Sequence, residues 1–255
     1  MNKTIRYTLT VLMGLGFTAS ITPAQAGDLE LSGDMGVVSQ YVWRGVTQTT
    51  GKAAIQGDFS AGIDGLSASV WFSNDYPSSA PQFGGRDVVE FDWTLDYSNS
   101  FGDSGLDYSV GAIGYTYLYD SASNFPEVYA GLAYGPLSVT AYYNVKDSYN
   151  NAYLRGDTWV DIGLSTSIKN FDISGSISYA NWKKDTVNRP TTSQFKNGFN
   201  LVTIGVSKDI EVAGMTMTPS LTATVPVIGK DAAGNRSIYG VTAKNEVVAG
   251  LNFAY

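Results

Sequence analysis

Acidic and apolar residues alternate between Val89 and Tyr97, which places Glu90, Asp92 and Asp96 on one side of an extended segment. Two carboxylates on one face could act as a general acid and base, or they could attract a cation. Hydrolytic enzymes that work near neutral pH commonly use histidine as the general base. The chain contains neither histidine nor cysteine. We therefore predict that the chain is not an enzyme, with catalysis by the carboxylate pair alone as the minor alternative.

The same period-two alternation recurs along the chain and predicts twelve strands. The fifth predicted strand changes face near Ile113 and Gly114, which favours a bulge there and leaves the number of strands open by about two. The predicted strands are 29–43, 55–63, 66–72, 89–97, 106–119, 128–134, 137–145, 160–168, 171–179, 202–206, 217–225 and 247–255.

Short and long connections also alternate along the chain. Minimal links follow the second, sixth and eighth strands, whereas longer polar links follow most odd strands; the short ones are Asp64-Gly65, Gly135-Pro136 and Lys169-Asn170. Outer-membrane barrels have short periplasmic turns and long external loops. The competing interpretation is a soluble β-sandwich, a fold that does not require short and long connections to alternate. We predict an all-β fold, a transmembrane antiparallel up-and-down β-barrel of about twelve strands.

The first residues have the features of an export signal. Lys3 and Arg6 precede an apolar run at 9–21, and Ala24-Gln25-Ala26 offers a small-x-small cleavage site. A transmembrane helix is less well supported, since the apolar run is too short to span about 30 Å of hydrocarbon. We predict a cleaved signal peptide at 1–26, a single barrel domain at 27–255, and location in the outer membrane.

Charged residues are expected to face the lumen, because a charge on the lipid face costs roughly 2–4 kcal/mol at the bilayer midplane. Their carboxylates could favour cations in a pore, or they could pair with Arg44, Arg86 or Lys146 and cross-link the wall. The net charge of −7 argues against a nucleic-acid partner. The predicted pore-lining residues are Glu30, Asp34, Arg44, Asp58, Glu90, Asp92, Asp96, Asp107, Asp161 and Asp172.

Aromatic residues near the strand ends are typical of the girdles at membrane interfaces. Inward aromatics such as Trp71 or Tyr142 could instead stack on sugars inside a pore. The predicted girdle residues are Tyr41, Trp43, Tyr76, Tyr97, Tyr134, Tyr153, Trp159, Tyr179 and Trp182.

The last strand alternates up to Phe253 and the terminal Tyr255. This pattern looks like the C-terminal signal that the barrel-assembly machinery recognises, although Phe is the more usual last residue. The expected partners are therefore this machinery, outer-membrane lipid and lipopolysaccharide, and an unidentified small solute. No cofactor or metal is predicted.

Residues 38–49 read VSQYVWRGVTQT. This stretch resembles the hallmark VSdYvfRGvSQs of the TorF-type porin family, also called Gcw_chp. The resemblance implies a proteobacterial outer-membrane barrel with a transport function and no assigned substrate. Gly45 is expected to let the backbone bend at the outer end of the first strand. The matching residues are Val38, Ser39, Tyr41, Val42, Arg44, Gly45, Val46 and Gln48.

Together these features predict a small passive pore for polar or cationic solutes. Twelve strands enclose a wider lumen than eight and a narrower one than sixteen. No plug is expected before the first strand, which argues against energy-coupled transport. The alternative is a non-conducting structural or ligand-binding barrel that acts through its external loops.

Overall fold

A computed structural model describes residues 9–13, 17–21, 29–75, 88–183, 195–229, 236–238 and 241–254. Short 3-10 turns at 102–104 and 121–123 accompany the strands. The strands in the described residues are β1 (Leu9–Met13), β2 (Phe17–Ile21), β3 (Glu30–Val38), β4 (Val42–Trp43), β5 (Val46–Thr47), β6 (Ala54–Ile63), β7 (Leu66–Asp75), β8 (Val88–Ser100), β9 (Leu106–Leu118), β10 (Phe125–Tyr134), β11 (Leu137–Asn144), β12 (Thr158–Ile168), β13 (Phe171–Asn181), β14 (Gly198–Ser207), β15 (Ile210–Val212), β16 (Met215–Pro226), β17 (Arg236–Ile238), β18 (Val241–Ala243) and β19 (Glu246–Ala254).

Twelve antiparallel strands in this part of the chain form one closed barrel, which confirms the predicted fold class. They follow one another around the wall in the order β3, β6 to β14, β16 and β19. The last strand pairs with the first, as in Leu251 opposite Val37. The short β15 also pairs with β16. Closure leaves no sheet edge exposed, so every strand can pair its backbone within the wall.

The two ends of the barrel differ in their connections. At one end, which we call the turn end, Asp64-Gly65 and Lys169-Asn170 join neighbouring strands. All four residues have positive φ, as the tight turns that match the twist of paired strands require. At the other end, the loop end, the connections are mostly longer. The predicted alternation of short and long links is therefore present in the structure.

Residues of opposite polarity occupy the two faces of the wall. On β8, Trp93 and Leu95 are exposed on the outside, whereas Glu90 and Asp96 point inward and are each only 2% exposed. The outward apolar rows form a surface that lipid can solvate. This closed barrel with an apolar exterior supports an outer-membrane location.

Three details differ from the predicted strands. The first barrel strand ends at Val38 and does not continue to Trp43. The predicted bulge near Ile113 is wrong, because β9 pairs without interruption on both sides. Ile113 faces inward, and it disturbs the polarity pattern because it packs into an apolar cluster inside the barrel. The register instead shifts between Ser178 and Tyr179.

The segment predicted as a signal peptide contains β1 and β2, which pair with each other in a separate sheet. Cleavage after Ala26 falls outside the described residues and stays a prediction. Across the described ranges, the search for a helix long and apolar enough to cross a membrane found none.

Candidate functional site

Residues 39–53, between the first and second barrel strands, form a hairpin that lies inside the barrel. We call it the plug hairpin. Its strands β4 and β5 pair Trp43 with Val46, and Arg44 and Gly45 form the turn with φ of 45° and 80°. Positive φ at both positions is what a tight two-residue hairpin turn requires. Residues 40–49 of the hairpin are buried or half-buried, with Val42 at 0% exposure, whereas Ser39 and residues 50–53 are exposed.

Polar residues of the family motif hold the base of the plug hairpin. The Ser39 backbone N–H donates to the Ala249 carbonyl over 2.8 Å, and the Ala249 N–H donates to Ser39 Oγ over 3.0 Å. Across the hairpin, the Tyr41 N–H donates to Thr49 Oγ1 over 2.8 Å, and the Gln48 N–H donates to the Tyr41 carbonyl over 2.7 Å. These bonds fix the angle at which the hairpin enters the lumen.

Arg44 at the tip of the plug hairpin forms an ion pair with Glu127 on β10. Arg44 Nη1 donates to Glu127 Oε1 over 2.9 Å, and Nη2 donates to Oε2 over 2.8 Å. In the circular strand order, β10 lies almost diametrically across the barrel from β3. The Tyr115 hydroxyl also donates to Glu127, over 3.1 Å. A bidentate, charge-assisted pair therefore ties the hairpin to the opposite wall.

Three aromatic rings surround the same guanidinium. The Arg44 Cζ atom lies 4.6 Å from the Trp43 ring centroid, 4.9 Å from that of Tyr142 and 5.2 Å from that of Trp159. Tyr142 and Trp159 are direct cross-strand partners on β11 and β12. Each such cation–π contact contributes about 2 kcal/mol when it is shielded from water. The rings thus compensate part of the cost of burying the charge.

Further carboxylates lie close to this ion pair on β8. Glu90 is hydrogen-bonded to Tyr117 and Tyr41, and Asp92 interacts electrostatically with Arg44. Asp92 Oδ1 is buried without a hydrogen-bond partner among the described residues. The surroundings of Arg44 therefore contain more acidic than basic groups, and they would favour a cation over an anion.

Burial raises the pKa of the loop residue Tyr41, and the neighbouring Glu90 and Asp92 raise it further. Burial is also the main reason why the pKa of Tyr153, in the loop after β11, lies above its ordinary value. Both phenols therefore remain protonated. Within the described residues, no group of three or more acidic side chains is arranged to hold a metal ion.

Small polar residues line the turn-end half of the lumen. Ser32 and Ser60 are hydrogen-bonded to each other over 2.6 Å, and Ser100 donates to Asp107 over 2.5 Å. Nearer the middle of the barrel, Asp34 faces Asp58 across the β3–β6 pair. No aromatic cluster like the one at the loop end is formed by the described residues here.

The predicted pore-lining residues divide between the two halves. Arg44, Glu90, Asp92 and Asp161 lie in the loop-end half, and Asp96 accepts a hydrogen bond from Tyr129 at 2.5 Å near the middle. Asp34 and Asp58 lie at the middle of β3 and β6. The remaining members lie on inward strand positions towards the turn end: Glu30, Asp107 and Asp172. A role of these residues in lining a pore stays a prediction.

The main residue that sequence reasoning missed is Glu127. It lies one residue before the predicted sixth strand, yet it shares the inward row of Tyr129 and Gly131. If the predicted sixth strand had begun one residue earlier, its alternation would have placed Glu127 on the inward face. At the chain end, Phe253 is an exposed residue of β19, and Tyr255 lies outside the described residues.

The interface-girdle prediction is wrong for several aromatics. Tyr41, Trp43, Trp159 and Trp182 are buried in the internal cluster, and the half-buried Tyr153 packs against it. Tyr97, Tyr134 and Tyr179 are exposed on the outside, as a girdle requires, and Tyr76 lies outside the described residues.

One expectation about the first strand needs correction, and one about the lumen needs an addition. Gly45 was expected to bend the outer end of the first strand, but it forms the hairpin turn inside the barrel. A Cβ atom at this position would lie 2.6 Å from Leu201 Cδ1. The expectation of no plug before the first strand does not cover the plug hairpin, which follows that strand and occupies the loop-end half of the lumen.

The chain belongs to the family described as "Bacterial protein of unknown function (Gcw_chp)", whose model matches residues 23–239. The match covers most of the barrel and includes the plug hairpin. The more specific TorF-type designation stays a prediction. No curated protein matches the chain.

Solved outer-membrane barrels resemble the chain weakly. Outer membrane phospholipase A from Escherichia coli is 12% identical, with a TM-score of 0.45 over 99% of this chain and 92% of its own. LpxR from Salmonella typhimurium is 10% identical, with a TM-score of 0.43 over 88% and 99%. The outer membrane channel DcaP of Acinetobacter baumannii is 10% identical, with a TM-score of 0.35 over 89% and 96%. The prediction that this chain is not an enzyme stays a prediction.

Proposed function

We propose that the chain is an outer-membrane channel for small polar or cationic solutes, obstructed at its loop end by the plug hairpin. The observation that supports this proposal is the Arg44–Glu127 ion pair. It fastens a loop across the lumen at a single tip, whereas the hairpin base is tied to β19. Loss of this ion pair would loosen the tip while the wall stays intact, and the hairpin would then be held mainly by the packing of Trp43 against Tyr115 and Phe125.

The turn-end half of the lumen supports passage rather than a purely structural role. Barrels whose interior serves only as a core are filled by side chains, but here inward serines, threonines and glycines continue to the rim. The acidic residues on these rows favour cations, as rings of carboxylates do in channels.

Bilayer recordings with the refolded protein would test the proposal. We expect Arg44→Ala to give larger or more frequent conductance steps than the wild-type chain, because the hairpin loses its tie to β10. Arg155→Ala is the matched control, since Arg155 is an exposed arginine in the loop after β11. In a potassium chloride gradient, the reversal potential should indicate a preference for cations.

Two results would count against the proposal. Absence of conductance steps in both Arg44→Ala and the wild-type chain, at all voltages and salt concentrations, would favour the non-conducting alternative. A preference for anions would contradict the proposal that the acidic residues of the lumen favour cations.

The proposal includes export by the segment 1–26 and recognition of Phe253 and Tyr255 by the barrel-assembly machinery. Outer-membrane lipid and lipopolysaccharide would then surround the apolar exterior. Loss of outer-membrane accumulation on removal of Tyr255 would support this route, and unchanged accumulation would contradict it.

A further inference from the structure

We propose that Glu127, Tyr142 and Trp159 form a binding site for guanidinium-bearing solutes, and that Arg44 occupies this site as an internal ligand. We call these three residues the cation cage. The inference rests on the proposed channel function, for which it names the class of solute. In this view the plug hairpin is displaced by competition at the cage.

The cage combines the groups that recognise a planar organic cation. Glu127, Tyr142 and Trp159 lie on the neighbouring strands β10, β11 and β12 and are 4%, 3% and 2% exposed. The carboxylate binds the guanidinium fork in a bidentate manner, and the two rings present their faces to its charge. A compact ammonium ion would keep the charge but lose the fork geometry.

The wall, rather than the plug hairpin, positions the cage. Trp159 Nε1 donates to Asp161 Oδ1 over 2.8 Å, and Ser178 Oγ donates to the same oxygen over 2.5 Å. On the other side, the Tyr115 hydroxyl donates to Glu127. These partners belong to barrel strands, so the cage keeps its shape when Arg44 leaves it.

The acidic surroundings supply the driving force for a second cation. Asp92 has a buried oxygen without a hydrogen-bond partner among the described residues, and Glu90 lies beside it on β8. When Arg44 withdraws, Glu127 loses its ion pair and Asp92 loses its electrostatic attraction to Arg44. A guanidinium group from solution would replace the lost charge.

Refolded Arg44→Ala protein tests the cage without any need for conduction. We would titrate it with methylguanidinium and follow tryptophan fluorescence and the thermal midpoint, with methylammonium and neutral methylurea as comparisons. We expect saturable binding of methylguanidinium that is about tenfold tighter than that of methylammonium, and no binding of methylurea. Strand content by circular dichroism verifies folding.

The double variant Arg44→Ala/Glu127→Gln is the control for the carboxylate, and it should lose the preference for methylguanidinium. Arg44→Lys provides a second folded background in which the tip is still charged but the fork is lost. If Arg44→Ala bound methylguanidinium and methylammonium with equal affinity, the cation-cage proposal would be wrong.

Wild-type recordings at constant ionic strength test the competition. Methylguanidinium should increase the open probability of the wild-type chain, while Arg44→Ala, already released, should not respond. If Arg44→Ala binds methylguanidinium and nothing conducts, the cage stands and the channel proposal fails. If the variant conducts without this binding preference, the channel stands and the cage proposal fails.

Discussion

The two halves of the lumen are lined by side chains of different polarity. At the loop end, aromatic and aliphatic side chains point inward and enclose the plug hairpin, whereas at the turn end small polar side chains point inward. The wall is the same antiparallel barrel in both halves. The difference teaches that an inward side chain is selected by what it packs against, and not by the barrel itself.

Ile113 and Val248 illustrate this rule. Each lies on an inward position and is almost fully buried, at 1% and 3% exposure. Burial of such a side chain is worth about 1.5–3 kcal/mol, so an apolar inward residue is stabilising only where the plug hairpin or its supporting loops keep water away. A water-filled lumen would reverse this preference.

Replacement of residues 40–49 by a flexible Gly-Ser linker should have the largest effect. The linker cannot maintain the buried contacts of Tyr41 and Val42, so we expect a several-fold rise in single-channel conductance in planar bilayers. The same replacement at the turn 102–104, which lies at the other end, is the control and should leave conductance unchanged. Equal conductance of all three proteins would show that the hairpin is not the obstruction.

Glu127→Gln should destabilise the loop-end half strongly. It leaves the Arg44 guanidinium buried without its carboxylate, and breaking such a pair costs about 3–5 kcal/mol. Urea unfolding in detergent micelles measures the change in the free energy of unfolding.

Asp172→Asn is the comparison at the turn end, where Asp172 is exposed and accepts a hydrogen bond from Ser167. We expect the free energy of unfolding to change by no more than about 0.5 kcal/mol, because substitutions at exposed positions usually have small effects. If Glu127→Gln and Asp172→Asn lowered the free energy of unfolding by similar amounts, the two halves would not differ in stability as proposed.

Gly45→Ala should be the next most damaging change. A left-handed backbone costs a non-glycine residue about 1–2 kcal/mol, and the new Cβ would also approach Leu201 within 2.6 Å. Gly51→Ala is a matched control, because Gly51 has a φ of 77° with nothing within 4 Å of an added Cβ. The midpoint of thermal unfolding should therefore fall further for Gly45→Ala than for Gly51→Ala. Equal decreases would contradict the packing described for the hairpin turn.

Ser176→Phe, at the middle of β13 and on the turn-end side of the aromatic cluster, should have the smallest effect. Its cross-strand neighbour Gly163 leaves room for a ring on the lumen side. We expect unchanged conductance in the wild-type chain, since the plug hairpin sets the obstruction there, and a modest decrease once the hairpin has been replaced. A decrease in the wild-type chain would place the narrowest point at the turn end.

Sequence reasoning succeeded where local chemistry decides the outcome. Asp64-Gly65 and Lys169-Asn170 were recognised as short links, and all four residues adopt positive φ. It failed at Tyr41 and Trp43, because the plug hairpin has an alternation of its own that continues the pattern of β3. Arg44-Gly45 is also not a typical hairpin dipeptide, so nothing local indicated that the strand had ended.

Trp159 shows a second kind of limit. A tryptophan near a strand end suits either an interface girdle or an internal cluster, and the period-two pattern identifies its face only when the neighbours are clearly polar. Here the inward row also contains Asp161, but the Trp159 ring contacts Trp182 and the Arg44 guanidinium of the plug hairpin. Trp182 reaches Trp159 through the β12–β13 pair, whereas the plug hairpin reaches it only in the closed barrel.

The sequence by itself determined that twelve strands alternate between lipid and lumen and that short turns join them at one end. Both properties depend on side-chain alternation and on turn conformation, which act over a few residues. Only the tertiary structure decided that residues 39–53 fold inward and that Arg44 binds Glu127. These two residues are 83 positions apart, and they meet because the width of the closed barrel matches the reach of the hairpin.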